Sequence, residues 1–575
     1  MLKKALNIIA PAMMTLSLKY QFGIDISGVI IIVLYCLLYK IIASLLNKKI
    51  DKGIIIISLI FSLNMVIGKY CYLNMYNKNN SFVLGLLNYK NIISIIGLFF
   101  IIISVLEYLL TRIKDYKFIK EKNKLNNLLL FLTAFVVIII MWLPYLMTFF
   151  PATMSLDSLG EFKNGLNHNI WHDSQPVIHQ LLIMICCEIG KVFSSKIIAP
   201  IIVYTIIQYT LLAFVVSYSV IFVYQNINNK KVVLFMILFY GLVPIFGYYS
   251  IVMWKDIIYG AFVLLLTIFT YKLITKEKIE KIFYVKYYLV ALICLLFRTN
   301  AIYMFFLLLI TTIILYKNNR IKIVILYLSV IISFYIIKIP IFNHFNIQRS
   351  ASAEYLAIPL QQIGRMNYKN IKFSSKETKV VNNLIPIEIL KEAYDPKTSD
   401  GIKFNPNYNG DYFDNNKFKV LRTWFKLCLK HPDVAIESYF ISTLGYWYPD
   451  LEDRYYENTI IDNDFGLHQI PVNNKLINKY VEVAGDYKNP IIKNLWSIGL
   501  YVWLLIISIY LLLKRRANKY LISYIPVIGN LVTLFIATPV FNEVRYVFSL
   551  YLCSILLLLI PFFNEKVEKT DKSNK

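Results

Sequence analysis

The chain has 575 residues, of which 58% are hydrophobic and 16% are charged, and its formal net charge is +26. This composition excludes a soluble globular protein. It also excludes a nucleic-acid-binding surface, because the Lys and Arg residues lie in short loops between apolar runs. The charge is unevenly distributed: residues 341–490 contain 18 Lys and Arg and 18 Asp and Glu, whereas the rest of the chain contains 42 and 16. The sequence therefore predicts a membrane protein with one large polar insert.

Apolar runs of about 20 residues recur along the chain, and each is long enough to cross about 30 Å of hydrocarbon. They predict an all-α polytopic membrane protein with about fourteen transmembrane helices. The predicted spans are 5–20, 27–46, 53–69, 92–111, 128–149, 197–225, 232–253, 257–275, 284–298, 301–316, 322–339, 494–513, 519–538 and 543–562. The segment Pro176–Phe193 is also apolar, but His179, Glu188 and Lys191 interrupt it. We interpret it as an external helix at the membrane interface.

Basic residues in short loops mark the cytoplasmic side of a membrane protein. Here the basic loops fall on alternate connections, on the same side as both termini, and the neutral insert falls on the opposite side. We therefore expect cytoplasmic termini and an external insert. The predicted organisation is N-terminal transmembrane helices in 1–127, a transmembrane core in 128–339 with a long external loop at 150–196, a mostly helical external domain in 340–492, and C-terminal transmembrane helices with a cytoplasmic tail in 493–575.

The long external loop opens with two carboxylates. Asp157 follows the fifth predicted span, and Glu161 comes four residues later, so a short helix would place both on one face. A carboxylate that apolar neighbours desolvate at the membrane edge can have a raised pKa and act as a general base. We predict catalytic roles for Asp157 and Glu161. For Glu161 and Asp173 the alternative is an ordinary solvated position in the loop.

Three of the six histidines, His168, His172 and His179, lie within twelve residues of the same loop. His168 and His172 are four residues apart, as two metal ligands on one helix face would be. They predict a divalent metal as a candidate cofactor. The spacing matches no established metal motif, so the alternative is that these histidines bind no metal and that the protein has no cofactor.

Charged residues also fall at the ends of later spans. Lys255 and Asp256 lie between two spans, Arg298 lies between two more, and Glu543 and Arg545 begin the last one. Cations that face one cleft would suit a phosphate or diphosphate, which Arg can bind through two hydrogen bonds. The predicted substrate-binding residues are Lys255, Asp256, Arg298, Arg365, Glu543, Arg545 and Tyr546. The alternatives are contact with lipid headgroups for Lys255 and Arg298, and an internal ion pair for Arg545.

Several short motifs complete the pattern. They are Ser155-Leu-Asp157-Ser, His172-Asp-Ser-Gln-Pro176, Trp254-Lys255-Asp256, Pro359-Leu-Gln-Gln-Ile-Gly-Arg365, Gly445-Tyr-Trp-Tyr-Pro449 and Glu543-Val-Arg545-Tyr546. A span, an external loop that opens with an acid, a Pro-led helix, many further spans and a late external domain together resemble the GT-C membrane glycosyltransferases. More closely, they resemble multi-spanning bacterial proteins of that general kind. The resemblance covers residues 128–562.

The resemblance implies an enzyme that transfers a sugar from a polyprenyl-phosphate donor to an envelope glycan, lipid or protein outside the bacterial plasma membrane. Asp157 would take the role of the acid in the first loop, which acts at the acceptor or coordinates a metal. The partners would be these substrates and membrane lipids, without nucleic acid. The chain lacks the adjacent Asp-Glu pair of the family and carries its insert before the last three spans. An envelope-glycan polymerase or ligase, a transporter or flippase of lipid-linked sugars, and a non-catalytic scaffold remain open as alternatives.

Overall fold

The computed structural model describes residues 2–24, 28–121, 125–167, 175–276, 278–316, 320–344, 346–347, 356–452, 458–472, 474–537 and 539–563. Over these residues the regular structure is helical, and the β-structure is limited to isolated bridges. Among the described residues, eight helices are long and apolar enough to cross a membrane, or nine if the bent pair Pro490–Trp496 and Ile498–Lys514 forms one span. The protein is therefore an all-α, multi-pass membrane protein.

The described chain divides into two compact units. The first unit contains residues 1–116, 352–451 and 537–542. Its helices are α1 (Leu2–Phe22), α2 (Val29–Leu45), α3 (Lys52–Asn74), α4 (Phe82–Leu86), α5 (Tyr89–Ile113), α16 (Ala357–Tyr368), α17 (Ser375–Leu384), α18 (Ile387–Ala393), α19 (Asp400–Lys403), α20 (Gly410–Asn415), α21 (Lys417–Lys430) and α22 (Pro432–Ser442). The 3₁₀ helix Leu444–Tyr446 follows α22.

The second unit contains residues 117–351, 452–536 and 543–575. Its helices are α6 (Asn127–Thr148), α7 (Leu156–Asn167), α8 (Val177–Phe193), α9 (Ala199–Ile227), α10 (Lys230–Leu242), α11 (Pro244–Tyr249), α12 (Lys255–Thr275), α13 (Lys281–Phe297), α14 (Ala301–Leu315), α15 (Arg320–His344), α23 (Lys475–Gly485), α24 (Pro490–Trp496), α25 (Ile498–Lys514), α26 (Ile525–Ile536) and α27 (Phe548–Leu559). Three 3₁₀ helices lie at Asn518–Tyr524, Arg545–Val547 and Ile560–Phe562.

Each predicted span coincides with an apolar helix or with two successive helices, but fourteen full spans are not confirmed. The predicted span 232–253 is broken after Val243, where Pro244 begins a separate helix. Proline has no backbone N–H to continue the preceding helix, and its ring disfavours helical geometry in the residue before it. Helices α2 and α14 have 17 and 15 residues. At 1.5 Å per residue they extend roughly 22–26 Å, less than the thickness of the hydrocarbon layer.

In the first unit, the insert helices have a core of their own. Leu360, Ile363 and Met366 of α16 pack with Val380 and Val381 of α17 in one cluster of buried residues. A second cluster joins the insert to the membrane helices, because Ile441 and Leu444 pack with Met65 and Val66 of α3. This contact explains why residues 352–451 belong to the same unit as the N-terminal helices.

The rest of the predicted external domain, 340–492, belongs to the second unit. Its backbone pairs with the chain that follows α6: Met154 donates to the carbonyl of Thr459 at 3.0 Å, and Ile470 donates to that of Phe150 at 2.7 Å. The predicted single domain is therefore divided near residue 452. Local composition could not reveal the division, because both parts of the insert are polar.

The first unit also contains a buried ion cluster. The carboxylate of Glu437 lies 3.0 Å from Arg365 Nη2 and 2.6 Å from Lys369 Nζ. Arg365 and Glu437 are almost inaccessible to solvent, and Lys369 is 6% exposed. The Arg365 guanidinium also donates to the backbone carbonyl of Met75, just beyond α3. The cluster therefore ties α16 and α22 of the insert to the end of a membrane helix.

Glu437→Gln should lower the free energy of unfolding by about 3–5 kcal/mol, because Arg365 and Lys369 would keep buried charges without their carboxylate. Thermal denaturation of the detergent-purified protein measures the loss as a lower midpoint temperature. The control is Asp414→Asn, which removes the carboxylate of the exposed pair between Lys417 and Asp414. It should cost less than about 1 kcal/mol. Equal losses in the two variants would contradict a stabilising role for the buried cluster.

Candidate active site

The predicted site residues of the second unit lie where the segment before α7 and the segment before α12 are joined by hydrogen bonds. Thr153 accepts a hydrogen bond from the backbone N–H of Met253 at 3.1 Å. The hydroxyl of Ser158 donates to the carbonyl of Met253 at 2.6 Å, and the indole of Trp254 donates to Ser155 Oγ at 2.8 Å. These bonds hold the start of α7 against the start of α12. The start of α7, which carries acidic residues, and the start of α12, which carries a basic one, therefore lie side by side although they are far apart in the sequence.

Arg545 lies at the centre of the site. Its Nη1 atom is 3.1 Å from Asp157 Oδ2, and its Nε atom is 3.7 Å from Glu543 Oε1. The guanidinium lies 4.3 Å from the ring centre of Trp254 and 4.9 Å from that of Tyr546, in the range of cation–π contacts. The two aromatic rings and the two carboxylates fix the orientation of this cation. The internal ion pair that the sequence allowed for Arg545 is therefore present, with Asp157 as an additional partner.

Arg298 forms a second, more buried ion pair. Its Nη1 atom lies 2.8 Å from Asp256 Oδ1, and the exposed fractions of the two side chains are 11% and 3%. The same atom donates to the backbone carbonyl of Tyr546 at 3.3 Å. Arg298 thus connects the start of α12 to the segment before α27. The partners of Arg298 lie within the protein. The contacts seen for this side chain are therefore not those of the alternative, in which it contacts lipid headgroups.

Lys255 is half-buried beside these two pairs. Its Nζ atom donates to Gln175 Oε1 at 2.6 Å, and its charge interacts with those of Asp256, Glu161, Arg545 and Asp157. Gln175 stands directly before the proline that precedes α8. The end of the long loop is therefore held at the site by a lysine.

Glu161 belongs to a buried polar chain. Its Oε2 atom is 2.8 Å from His179 Nδ1, and His179 Nε2 is 2.8 Å from the hydroxyl of Tyr204. Tyr204 donates to Gln208 Oε1 at 3.1 Å, and the Gln208 amide donates to the carbonyl of Val252 at 2.7 Å. Because the Tyr204 hydroxyl gives its proton to Gln208, His179 Nε2 is the donor toward Tyr204. The carboxylate of Glu161 and the ring of His179 are therefore in direct contact in the interior of the second unit.

The solvent exposure of the two predicted catalytic carboxylates is the reverse of the expectation, in which Asp157 was the desolvated residue. Half of the Asp157 side chain is exposed, whereas Glu161 is 3% exposed. The two residues are one helical turn apart, but Asp157 faces Arg545 and solvent while Glu161 faces α8 and α9. Asp157 is therefore the carboxylate that an incoming molecule can reach. Glu161 is the desolvated one, and the ordinary solvated position considered for it is wrong.

The remaining predicted residues lie elsewhere. Arg365 is in the first unit, where the ion cluster with Glu437 encloses it. Its role in substrate binding stays a prediction, and the observed contacts are those of an internal ion pair. His168, His172 and Asp173 fall outside the described residues, so the metal site also stays a prediction. Within the described ranges, no three His, Cys, Asp or Glu side chains are grouped as metal ligands.

Several residues of the site were not predicted. They are Gln175, His179, Tyr204, Gln208 and Trp254. A signal was present for three of them: His179 interrupts an apolar helix, and Tyr204 and Gln208 are polar residues one turn apart in an apolar span. A polar group inside a span needs an internal partner, and these residues are partners for one another.

The site contains three cations and four carboxylates, namely Lys255, Arg298, Arg545, Asp157, Glu161, Asp256 and Glu543. The cations are already in contact with polar or acidic groups, so an anionic ligand can bind only by replacing one of these. The Asp157 side of Arg545 is the accessible position, because Asp157 is half-exposed while Asp256 and Glu543 are buried. The geometry therefore allows an exchange in which an anion takes the guanidinium and leaves Asp157 free.

The sequence comparisons identify one family. The family whose sequence model matches residues 54–575 is described as "Family of unknown function (DUF6020)". No curated protein and no solved structure matches the chain. The match includes every residue of the candidate site, the whole of the second unit and the first unit from residue 54 onward. The chain belongs to the DUF6020 family.

Proposed function

We propose that this protein is a membrane glycosyltransferase that moves a sugar from a polyprenyl-phosphate donor to an acceptor at the outer face of the bacterial plasma membrane. The observation that carries the proposal is the contact between Arg545 and the half-exposed Asp157. It combines a cation suited to a phosphate with a carboxylate suited to a hydroxyl. Transfer from a lipid phosphate to an alcohol requires these two groups within hydrogen-bond distance of the reacting atoms.

The reaction proceeds by exchange of partners. The donor phosphate replaces Asp157 at Arg545, with Lys255 as a second cation, and the released carboxylate accepts the proton of the acceptor hydroxyl. The acceptor oxygen forms a bond to the anomeric carbon while the bond from that carbon to the phosphate oxygen breaks. The electron pair leaves with the phosphate, where the cations stabilise the developing charge. The buried pair of Glu161 and His179 holds α7, and therefore Asp157, in position.

An apolar groove beside the site supports a lipid-linked donor. It is lined by residues of α8, α13 and α15, among them Val177, Leu181, Leu296 and Phe334. Its other lining residues include Pro176 and Thr299, the chain neighbours of Gln175 and Arg298. The cavity has a volume of 60 Å³, so it would take only a small part of an isoprenoid chain near the phosphate, and the rest of the chain would lie in the membrane. A soluble nucleotide-sugar would have no use for such a surface.

The decisive experiment supplies the purified protein with a polyprenyl-phosphate sugar and envelope acceptors. A transferase releases the free lipid phosphate and forms a glycosylated product. A flippase instead moves the intact lipid-linked sugar across a vesicle bilayer. Translocation without cleavage would refute the transferase proposal, and use of a lipid-diphosphate oligosaccharide alone would favour the polymerase or ligase.

The proposal requires cytoplasmic termini and an external insert, and cysteine labelling tests this orientation. Asn407→Cys should react with an impermeant thiol reagent in intact cells, whereas Lys117→Cys should react only after lysis. Cys36 is exposed and is first replaced by Ser, and the other membrane cysteines are buried. Cys428 is the remaining cysteine of the insert, and burial raises the pKa of its thiol to about 11, so it reacts slowly. Equal labelling of both positions in intact cells would contradict the orientation.

A further inference from the structure

A second charged pocket lies at the other end of α12. Lys255, at the candidate active site, is the first residue of this helix, and Lys272 lies in its last turn. The two residues are 17 positions apart, which corresponds to roughly 26 Å along the helix axis, about the thickness of the hydrocarbon layer. The pocket therefore opens at the opposite membrane face from the candidate active site, on the side that carries the basic loops.

The pocket has a cavity of 230 Å³ between the end of α12, the start of α13 and Tyr218 of α9. Four lysines line it: Lys272, Lys276, Lys278 and Lys286. Glu280 is the one acidic residue among its described lining. In the part of the chain that the structure describes, none of the four lysines forms an ion pair. Such a concentration of like charge favours the binding of an anion.

The walls of the pocket are aromatic and apolar. Lys272 Nζ donates to the hydroxyl of Tyr218 at 2.6 Å and lies 4.8 Å from the centre of its ring. Lys276 Nζ lies 5.7 Å from the ring centre of Phe283. Lysines that share a cavity with aromatic rings at the end of a span are placed at the depth of lipid headgroups. The apolar walls suit acyl chains, and the lysines suit a phosphate.

We propose that this pocket is a binding site for the phosphate-bearing headgroup of an anionic membrane lipid. Basic pockets between transmembrane helices at the cytoplasmic face suit such headgroups in general. The proposal does not depend on the proposed enzymatic function, because it uses other residues at the other membrane face. It differs from general lysine contact with lipid, since it assigns affinity to one pocket and not to the basic surface as a whole.

The test is a titration of the detergent-purified protein with phosphatidylglycerol, followed by native mass spectrometry. The variant Lys276→Gln, Lys278→Gln, Lys286→Gln should bind about a hundredfold more weakly than the unaltered protein, since each basic residue near an anionic lipid contributes roughly fivefold. The matched control replaces Lys231, Lys322 and Lys514, which are exposed residues outside the pocket, with Gln. It should bind within about twofold of the unaltered protein. Equal losses in the two triple variants would overturn the proposal.

Two further experiments use the unaltered protein, so their outcome does not depend on whether a variant folds. Phosphatidylglycerol should bind far more tightly than phosphatidylcholine, and raising the salt concentration should weaken it, because exposed charges are screened. Affinity that is independent of salt would overturn the site. Inorganic phosphate should not displace the lipid at equal concentration, and binding of phosphate as tight as that of the lipid would overturn the lipid assignment.

Discussion

Asp157→Asn is expected to reduce sugar transfer by about a thousandfold, within the range that a positioned general base contributes. The amide has nearly the shape of the carboxylate but cannot accept the proton of an acceptor hydroxyl at neutral pH. Because half of the side chain is exposed, the substitution should leave folding unchanged. The initial rate of product formation at saturating donor measures the effect.

The matched control for this variant is Glu188→Gln. Glu188 lies on α8 of the same unit and is paired with Lys191 at 2.7 Å, and both side chains are about half exposed. The control variant therefore also removes an exposed carboxylate from an ion pair, but at a position that is not beside Arg545. We expect full activity from Glu188→Gln. Full activity from Asp157→Asn would exclude Asp157 as the base.

A proton-accepting role can also be separated from a positioning role. If Asp157 is the base, Asp157→Glu should recover part of the rate that Asp157→Asn loses, because it keeps a carboxylate at this position. Glu161→Gln, in contrast, disturbs the buried pair with His179. It should lower the rate by less than Asp157→Asn does, since the proposed base remains present.

The sequence singled out several charges because ionisable residues at span ends are unusual. Lys255, Arg298 and Arg545 stood out for this reason, and the structure brings all three together with Asp157. A residue at the end of a span lies at one of the two membrane surfaces. The predicted alternation of the spans therefore placed these three cations and Asp157 at the same surface. The pairing itself was not predictable, because it depends on the rotation of each helix about its axis.

Arg365 shows the limit of such reasoning. It lies in a polar insert next to a short motif, and nothing in its local sequence indicates burial. Its partner Glu437 is 72 residues away, on a different helix of the insert. The pattern of the motif could not distinguish a ligand-binding arginine from one that stabilises the fold, because both require a carboxylate or phosphate partner.

The predicted number of spans is not confirmed, for a related reason. Hydropathy detects apolar composition, and the helices α10, α13 and α14 are apolar enough to be counted. Their lengths of 13, 17 and 15 residues are determined by a proline or by polar turns at their ends. Short apolar helices can be buried among longer ones, so apolar composition predicted the helices but not which of them cross the membrane fully.

Arg545→Gln is expected to lower kcat/KM for the donor by about 10²- to 10³-fold, the usual effect of removing one donor that stabilises developing charge. The KM for the acceptor should change little, since the acceptor contacts Asp157. Arg545→Lys keeps the charge but loses the planar group that lies against Trp254 and Tyr546, so it should restore only part of the rate.

Arg298→Gln is the contrasting variant at the same site. It leaves Asp256, which is 3% exposed, without its cation, so the main effect should be a loss of stability of about 3–5 kcal/mol. The double variant Arg298→Gln, Asp256→Asn should recover much of that stability. No such recovery is expected when Arg545→Gln is combined with Asp157→Asn, because Asp157 is exposed to solvent.

A double-mutant cycle of Asp157→Asn and Arg545→Gln tests whether the two residues act together. If the donor phosphate replaces Asp157 at Arg545, both residues serve one transition state, and the rate of the double variant should be close to that of the slower single variant. The cycle of Glu188→Gln and Lys191→Gln should show no effect on transfer. Additive losses for Asp157 and Arg545, with the donor KM unchanged in Arg545→Gln, would show that the guanidinium does not bind the donor. The exchange of partners at Arg545 would then be wrong, even with Asp157 retained as the base.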